Sequence, residues 1–72
     1  MNIISQDGDF IVNMNKIVSI EVVANNSKYD LTAYLDDNME LELATYASKD
    51  RAKEILEELA DCSRSRYFLP EV

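Results

Sequence analysis

Seventy-two residues, no histidine and one cysteine restrict this chain to one small domain, with no internal disulfide and no histidine–cysteine zinc site. Its net charge of −7 argues against a nucleic-acid binder and against an anionic membrane surface, because both partners attract a basic face. Apolar residues make up 47% of the chain and charged residues 29%, which is typical of a folded globule.

A chain of this size buries only about 60% of its unfolded surface, so it usually needs a disulfide, a metal or self-association. One cysteine and no histidine argue against a disulfide and against a structural metal. We therefore expect a homo-oligomer, either a dimer or a larger assembly. No apolar run approaches the roughly 18 residues of a membrane span, and no signal peptide follows Met1. These features predict a cytoplasmic protein with no cofactor.

The first element is a short apolar segment followed by the stretch SQDGDF, from Ser5 to Phe10. Gly8 can adopt positive φ without a steric penalty, and the aspartates on either side favour a turn. The spacing does not fit a calcium loop, which needs glycine at the sixth position and glutamate at the twelfth. We therefore predict a turn that joins strand Ile3–Ser5 to strand Phe10–Met14.

Three more strands are predicted by β-branched content and alternation. The first follows a turn or bulge at Asn13–Lys16 and ends at a hairpin loop, Asn25–Ser27. In the next, Lys28–Asp36, one parity is apolar and the other carries Asp30 and Tyr34. The third runs over Met39–Thr45, where Met39, Leu41 and Leu43 are expected to face inward and Glu40 and Glu42 outward.

After this strand, the apolar residues recur at the spacing of an amphipathic helix, and Ser48 is its predicted N-cap. Its apolar stripe contains Ala52, Ile55, Leu56, Leu59 and Cys62. Lys53 is expected to pair with Glu57 across one turn. The apolar tail Tyr67–Pro70 is expected to pack back onto the domain. Together these elements predict a two-layer α+β fold, in which an antiparallel meander of three to five short strands is covered by one C-terminal helix.

Five carboxylates cluster around the second predicted hairpin: Asp30, Asp36, Asp37, Glu40 and Glu42. Paired carboxylates serve acid–base catalysis only inside a cleft that separates their pKa values, and an open hairpin face has no cleft. No histidine or other base is available to activate a nucleophile, which disfavours an enzyme. The carboxylates are either a solvated face or a surface that meets a basic protein partner.

Four basic residues flank the helix: Lys49, Arg51, Arg64 and Arg66. Together with Tyr67 they could hold a small phosphorylated anion, since arginine binds phosphate bidentately. However, no glycine-rich turn precedes the helix, which makes ordinary pairing with helix acids the simpler interpretation. Cys62 is interpreted as a packed small residue rather than a reactive thiol. Tyr34 lies on the polar parity of its strand, as does Tyr46 if its strand extends that far, and two tyrosines on that face would suit an interface.

Three segments carry a resemblance to a known family: IISQDGDFIVNMNKIVSI, ELATYASKDRAKEILEEL and RYFLPEV. Together they resemble a widespread set of very small uncharacterised proteins from Gram-positive bacteria and their phages. These proteins share a Ser-Gln-Asp start, a tyrosine before the helix and a Tyr-x-x-Pro tail. The matching residues are Ser5, Gln6, Asp7, Val12, Asn13, Tyr46, Ser48, Arg51, Ala52, Ile55, Leu56, Leu59, Tyr67 and Pro70.

The resemblance implies no reaction and no catalytic residue; occurrence in phages makes a host-interaction role a reasonable hypothesis. We therefore expect a non-enzymatic protein that uses its acidic surface to bind a protein partner. The alternatives are an oligomer that captures a phosphorylated ligand, and a structural protein with no ligand.

Overall fold

The computed structural model describes residues 1–72, which form six strands, one 3-10 turn and one α-helix. In chain order the elements are β1 (Asn2–Ile4), β2 (Ile11–Asn13), the 3-10 turn (Met14–Lys16), β3 (Ile17–Asn25), β4 (Lys28–Leu35), β5 (Glu40–Tyr46), α1 (Lys49–Asp61) and β6 (Arg66–Phe68). This confirms the α+β class with a C-terminal helix. The strands divide into two three-stranded sheets, where the sequence indicated one.

The turn between β1 and β2 is built as the sequence predicted. Gly8 has φ +75, and its N–H donates to the Ser5 carbonyl at 2.9 Å. The Asp7 carboxylate accepts from the Ser5 hydroxyl at 2.9 Å and from the Asp9 N–H at 3.2 Å. This network closes the turn, and β1 and β2 pair antiparallel with Ile3 opposite Val12.

The third strand of this first sheet comes from the other end of the chain. β6 pairs with β1 in parallel, with Ile3 opposite Tyr67, and the Leu69 N–H donates to the Ile4 carbonyl at 3.2 Å. Leu69 is buried. The tail therefore packs back onto the domain, as expected, but it does so as a parallel strand. No local pattern signals such a pairing, because its two strands are more than sixty residues apart.

The second sheet is the predicted meander, with strand order β3–β4–β5. Asn26 (φ 58) lies in the two-residue loop between Asn25 and Lys28, and Asn38 (φ 68) lies in the turn before β5. Asparagine tolerates this left-handed region better than most residues. Asn13 caps the 3-10 turn, which confirms the predicted break before β3.

A bulge in β5 changes which side chains of that strand face the core. Leu31 lies opposite Ala44 but Thr32 lies opposite Glu42, so Leu43 is an extra residue in the ladder. After this bulge, odd- and even-numbered residues of β5 exchange faces of the sheet. Tyr46 therefore lies in the core at 3% exposure. The prediction that Tyr46 lies on the polar face is therefore wrong. Met39, expected to face inward, is more than half exposed.

Helix α1 covers the inner face of this second sheet. Ser48 caps its start, since the Ser48 hydroxyl oxygen accepts from the Arg51 N–H at 3.0 Å. Ala52, Ile55 and Leu59 are buried, and Cys62 is the half-buried C-cap residue. The predicted Lys53–Glu57 pair is not formed; the one ion pair of the chain joins Arg51 to Glu54 at 3.8 Å.

The core joins both sheets and the helix into one unit. Its four most completely buried large side chains are Ile3, Leu31, Leu43 and Ile55, which come from β1, β4, β5 and α1. No helix in the chain combines the length and the hydrophobicity that a membrane crossing would need.

Candidate interaction surface

The outer face of the second sheet, turned away from the helix, carries two of the five predicted acidic residues, Glu40 and Glu42, and adds Glu21. Register places Glu21, Thr32 and Glu42 in one row across the three strands, and Ser19, Tyr34 and Glu40 in the next. We call the four side chains Glu21, Tyr34, Glu40 and Glu42 the acidic face. A shallow depression of about 460 Å³ lies over three of them, Tyr34, Glu40 and Glu42; it is lined also by Asp30 and Thr32, and none of its lining residues is basic.

The spacing of these carboxylates follows from strand geometry. Neighbouring strands lie about 4.8 Å apart, so Glu21 and Glu42 are separated by roughly 10 Å across Thr32. At that distance in water, two like charges repel by about 0.4 kcal/mol. That repulsion costs folding little, and a basic partner would meet three anions on one face, with Glu40 and Glu42 about 7 Å apart along β5.

Tyr34 lies at the centre of this charge. Desolvation, followed by the negative charges of Glu21 and Glu40, raises the pKa of Tyr34 above its usual value. A half-buried tyrosine ringed by carboxylates presents an apolar ring with a polar tip, a combination enriched at protein interfaces. Tyr34 thus lies on the polar face that the alternation of β4 predicted.

Asp30, which the sequence assigned to the same surface, is a structural residue. Its side chain is buried, and it accepts from the Asn25 amide at 3.2 Å and from the Thr45 hydroxyl at 2.9 Å; this hydroxyl also lies 2.7 Å from the Glu42 carboxylate, so the two carboxylates share its one proton. Both donors come from strands on either side of β4. Asp30 therefore ties β3 and β5 to the central strand, and only its edge reaches the depression.

Asp36 and Asp37 lie in the turn beyond the face, at the end of β4. The Asp37 carboxylate accepts from the Met39 N–H at 3.3 Å, which shapes the turn around Asn38. Of the five carboxylates selected from the sequence, only Glu40 and Glu42 belong to the acidic face. The sequence did not assign Glu21 to this surface, because Glu21 lies inside an apolar run. Ser19 and Glu21 are, however, polar residues two positions apart, and this alternation indicates that both face outward.

The four predicted anion-binding residues do not converge. Lys49 and Arg51 open a helix about 20 Å long, whereas Arg64 and Arg66 follow its end. The Arg51 guanidinium donates twice to the Val72 carbonyl oxygen, at 3.0 and 3.1 Å. Arg66 stacks over the Phe68 ring at 5.8 Å from its centroid.

The surroundings of Arg64 also disfavour an anion. Arg64 lines a groove of about 530 Å³ with Cys62 and four helix carboxylates: Glu54, Glu57, Glu58 and Asp61. The Tyr67 hydroxyl, the proposed partner for a phosphate, donates instead to the Glu58 carboxylate. Burial, with this hydrogen bond and the charge of Glu58, raises the pKa of Tyr67 well above its usual range. The groove is therefore acidic overall.

Comparisons of the chain with protein-family models, with curated proteins and with solved structures found no match. The resemblance to small proteins of Gram-positive bacteria and phages stays a prediction.

Proposed function

We propose that this chain is a non-enzymatic binding domain whose acidic face docks on a basic surface of a protein partner. One observation carries the proposal: Glu21, Glu40 and Glu42 surround Tyr34 on an open sheet face with no cation among them. Lys28, at the hairpin end, is the one basic residue of the three strands. The face thus combines uniform charge with an aromatic anchor.

The shape of the surface supports binding over catalysis. The carboxylates stand on an open sheet, where water screens them, and catalytic carboxylates need a cleft that drives their pKa values apart. The chain has no histidine, so no imidazole is present to act as a general base.

A basic protein is the partner that the electrostatics favour. A chain with net charge −7 repels nucleic acid, whose phosphates carry the same sign. It attracts lysine- and arginine-rich surfaces at long range, which accelerates association at low ionic strength. A protein that itself handles nucleic acid carries such a surface, so it is the partner class that we expect.

The proposal is tested by titrating the chain with a short arginine-rich peptide and following backbone amide NMR shifts. We expect the largest shifts at Glu21, Tyr34 and Glu40, and binding that weakens as salt increases. The variant Glu21→Gln/Glu40→Gln should weaken binding roughly tenfold. The matched control Glu54→Gln/Glu57→Gln removes the same charge from the helix and should leave binding near the original value.

If the shifts map to the helix carboxylates, or if both double variants weaken binding equally, the peptide is responding to net charge and the proposed surface is wrong. If only the sheet variant weakens binding, the same two variants serve as bait in a native lysate. A partner retained by the helix variant and lost by the sheet variant would identify the physiological ligand.

A further inference from the structure

β3 is an edge strand whose outer side has no hydrogen-bond partner within the chain. It pairs only with β4, and no backbone bond outside the regular elements involves Val18 to Ala24. No side chain bonds to this stretch of backbone either; the Asn25 amide bonds to Asp30. At about 3.3 Å per residue, this nine-residue strand presents roughly 30 Å of open edge.

The opposite edge of the same sheet is closed over its second half, from Leu43 to Thr45. The Gln6 N–H donates to the Leu43 carbonyl at 3.0 Å, and the Gln6 side chain bonds to both backbone groups of Thr45. In the first sheet the edge strands are only three residues long. β3 is therefore the one long unprotected edge of the molecule.

β3 has few of the residues that prevent an edge strand from pairing with another chain, such as lysine, proline and repeated charges. It contains neither lysine nor proline, and Glu21 is its one charge; six of its nine residues are apolar. A bulge at Val18 is the single irregularity. Long, apolar edges of this kind pair readily with another strand.

An apolar groove adjoins the first half of this edge. It has a volume of about 340 Å³ and is bounded by Ile17, Val18 and Ile20 on one side and by Leu56, Leu59 and Ala60 of the helix on the other. Val18, at its rim, is 70% exposed. A partner that adds a strand to β3 would also need apolar side chains to fill this groove.

We propose that the occupant is a second copy of this chain, paired antiparallel through β3 about a two-fold axis at Ile20. The contact requires an unpaired apolar strand of matching length next to an apolar groove, and the chain itself supplies both. This register sets Glu21 opposite Ser19 of the second copy and keeps the two glutamates apart. A two-fold axis there also brings the two grooves together, as an isologous contact demands.

The size of the contact fits a weak dimer. The axis at Ile20 pairs Ile17–Val23 of the two copies, about 23 Å of edge. The molecule measures 30 × 26 × 22 Å, so a contact about 25 Å deep would bury roughly 580 Å² per copy. Standard stable interfaces bury about 600 to 1,000 Å² per partner, so this contact lies near the lower end of that class. The product is a six-stranded sheet with both helices on one side and both acidic faces on the other. The proposed dimer does not depend on whether the acidic face binds a partner.

The test is the molar mass in solution as concentration is raised, by analytical ultracentrifugation. We expect a shift from 8.2 kDa to twice that mass. Val18→Lys places a charge at the exposed rim of the groove and should raise the dissociation constant at least roughly tenfold. The control Met39→Lys introduces the same charge at an exposed apolar site away from β3 and should leave the dissociation constant unchanged.

Amide hydrogen exchange on the unmodified chain gives an answer even if Val18→Lys fails to fold. Amides on the outer side of β3 should become protected as concentration rises, whereas those of β5 should not change. Salt should strengthen the dimer, because it screens repulsion between two chains of charge −7, and it should weaken binding to a basic peptide. A mass of 8.2 kDa at every concentration, or a dimer without concentration-dependent protection in β3, overturns the proposal.

Discussion

The side chain of Gln6 pairs with the backbone of Thr45 as a neighbouring strand would. Its Oε1 accepts from the Thr45 N–H at 2.9 Å, and its Nε2 donates to the Thr45 carbonyl at 3.0 Å. The second hydrogen of the same Nε2 is shared between the carbonyls of Pro70 and Glu71, at 3.1 and 2.9 Å. One amide thus joins the first turn, the edge of β5 and the C-terminal tail.

Gln6→Ala should lower the free energy of unfolding by about 2 kcal/mol, because it leaves the Thr45 backbone groups without their partner. Chemical denaturation measures the effect. Asn15→Ala removes an amide whose side chain makes no hydrogen bond, and it should change stability by less than about 0.5 kcal/mol. Equal losses in both variants would show that the Gln6 contacts do not stabilise the fold.

Asp30→Ala should destabilise the protein by about 2 kcal/mol, since it removes a buried acceptor from Asn25 and Thr45. Asp36→Ala deletes an exposed carboxylate in the following turn and should be nearly neutral. Thermal unfolding of the two variants distinguishes the structural carboxylate from the solvated one. If Asp30→Ala melts like the parent chain, the buried network is not stabilising.

Asp7 should make folding sensitive to acid. The Ser5 hydroxyl and the Asp9 N–H bind its ionised form, which lowers the pKa of Asp7 below its ordinary value of 3.8. A depressed pKa in the folded state adds stability above pH 3.8, and this stability is lost as pH falls through the folded value.

Asp7→Asn should accordingly be less stable than the parent chain at neutral pH, and the difference should shrink below pH 3.8. Denaturation across an acid pH series measures it, with Asp36→Asn as the control for general loss of charge. A difference between parent and Asp7→Asn that stays constant with pH would contradict this account.

Tyr67 should make folding sensitive to alkali. Its raised pKa means that the stability linked to its protonated hydroxyl is complete below pH 10.0 and is lost as pH rises through the folded value. Tyr67→Phe should cost about 1 kcal/mol at neutral pH, because the bond to Glu58 is lost, and should reduce the alkaline decline. Tyr29→Phe is the control, since the Tyr29 hydroxyl makes no hydrogen bond. An unchanged alkaline decline in Tyr67→Phe would assign the sensitivity to another group.

Local patterns predicted every element whose cause is local. Gly8 between two aspartates, Ser48 before a helical stripe and the alternation of β4 each reflect interactions within a few residues, and each was found where it was predicted. The acidic face was only partly predictable. Glu40 and Glu42 follow from alternation, whereas Glu21 joins them only when β3 is set beside β4.

The sequence by itself determined the α+β class, the meander, the capped helix and the excess of negative charge, because propensity, period and charge are properties of neighbouring residues. Only the tertiary structure decided that Tyr46 turns inward past a one-residue bulge and that Asp30 is buried. It also decided that Gln6 closes the edge of β5 and that β6 completes the first sheet. These outcomes depend on pairings between distant segments, which are chosen by the packing of the whole core and leave no local signature.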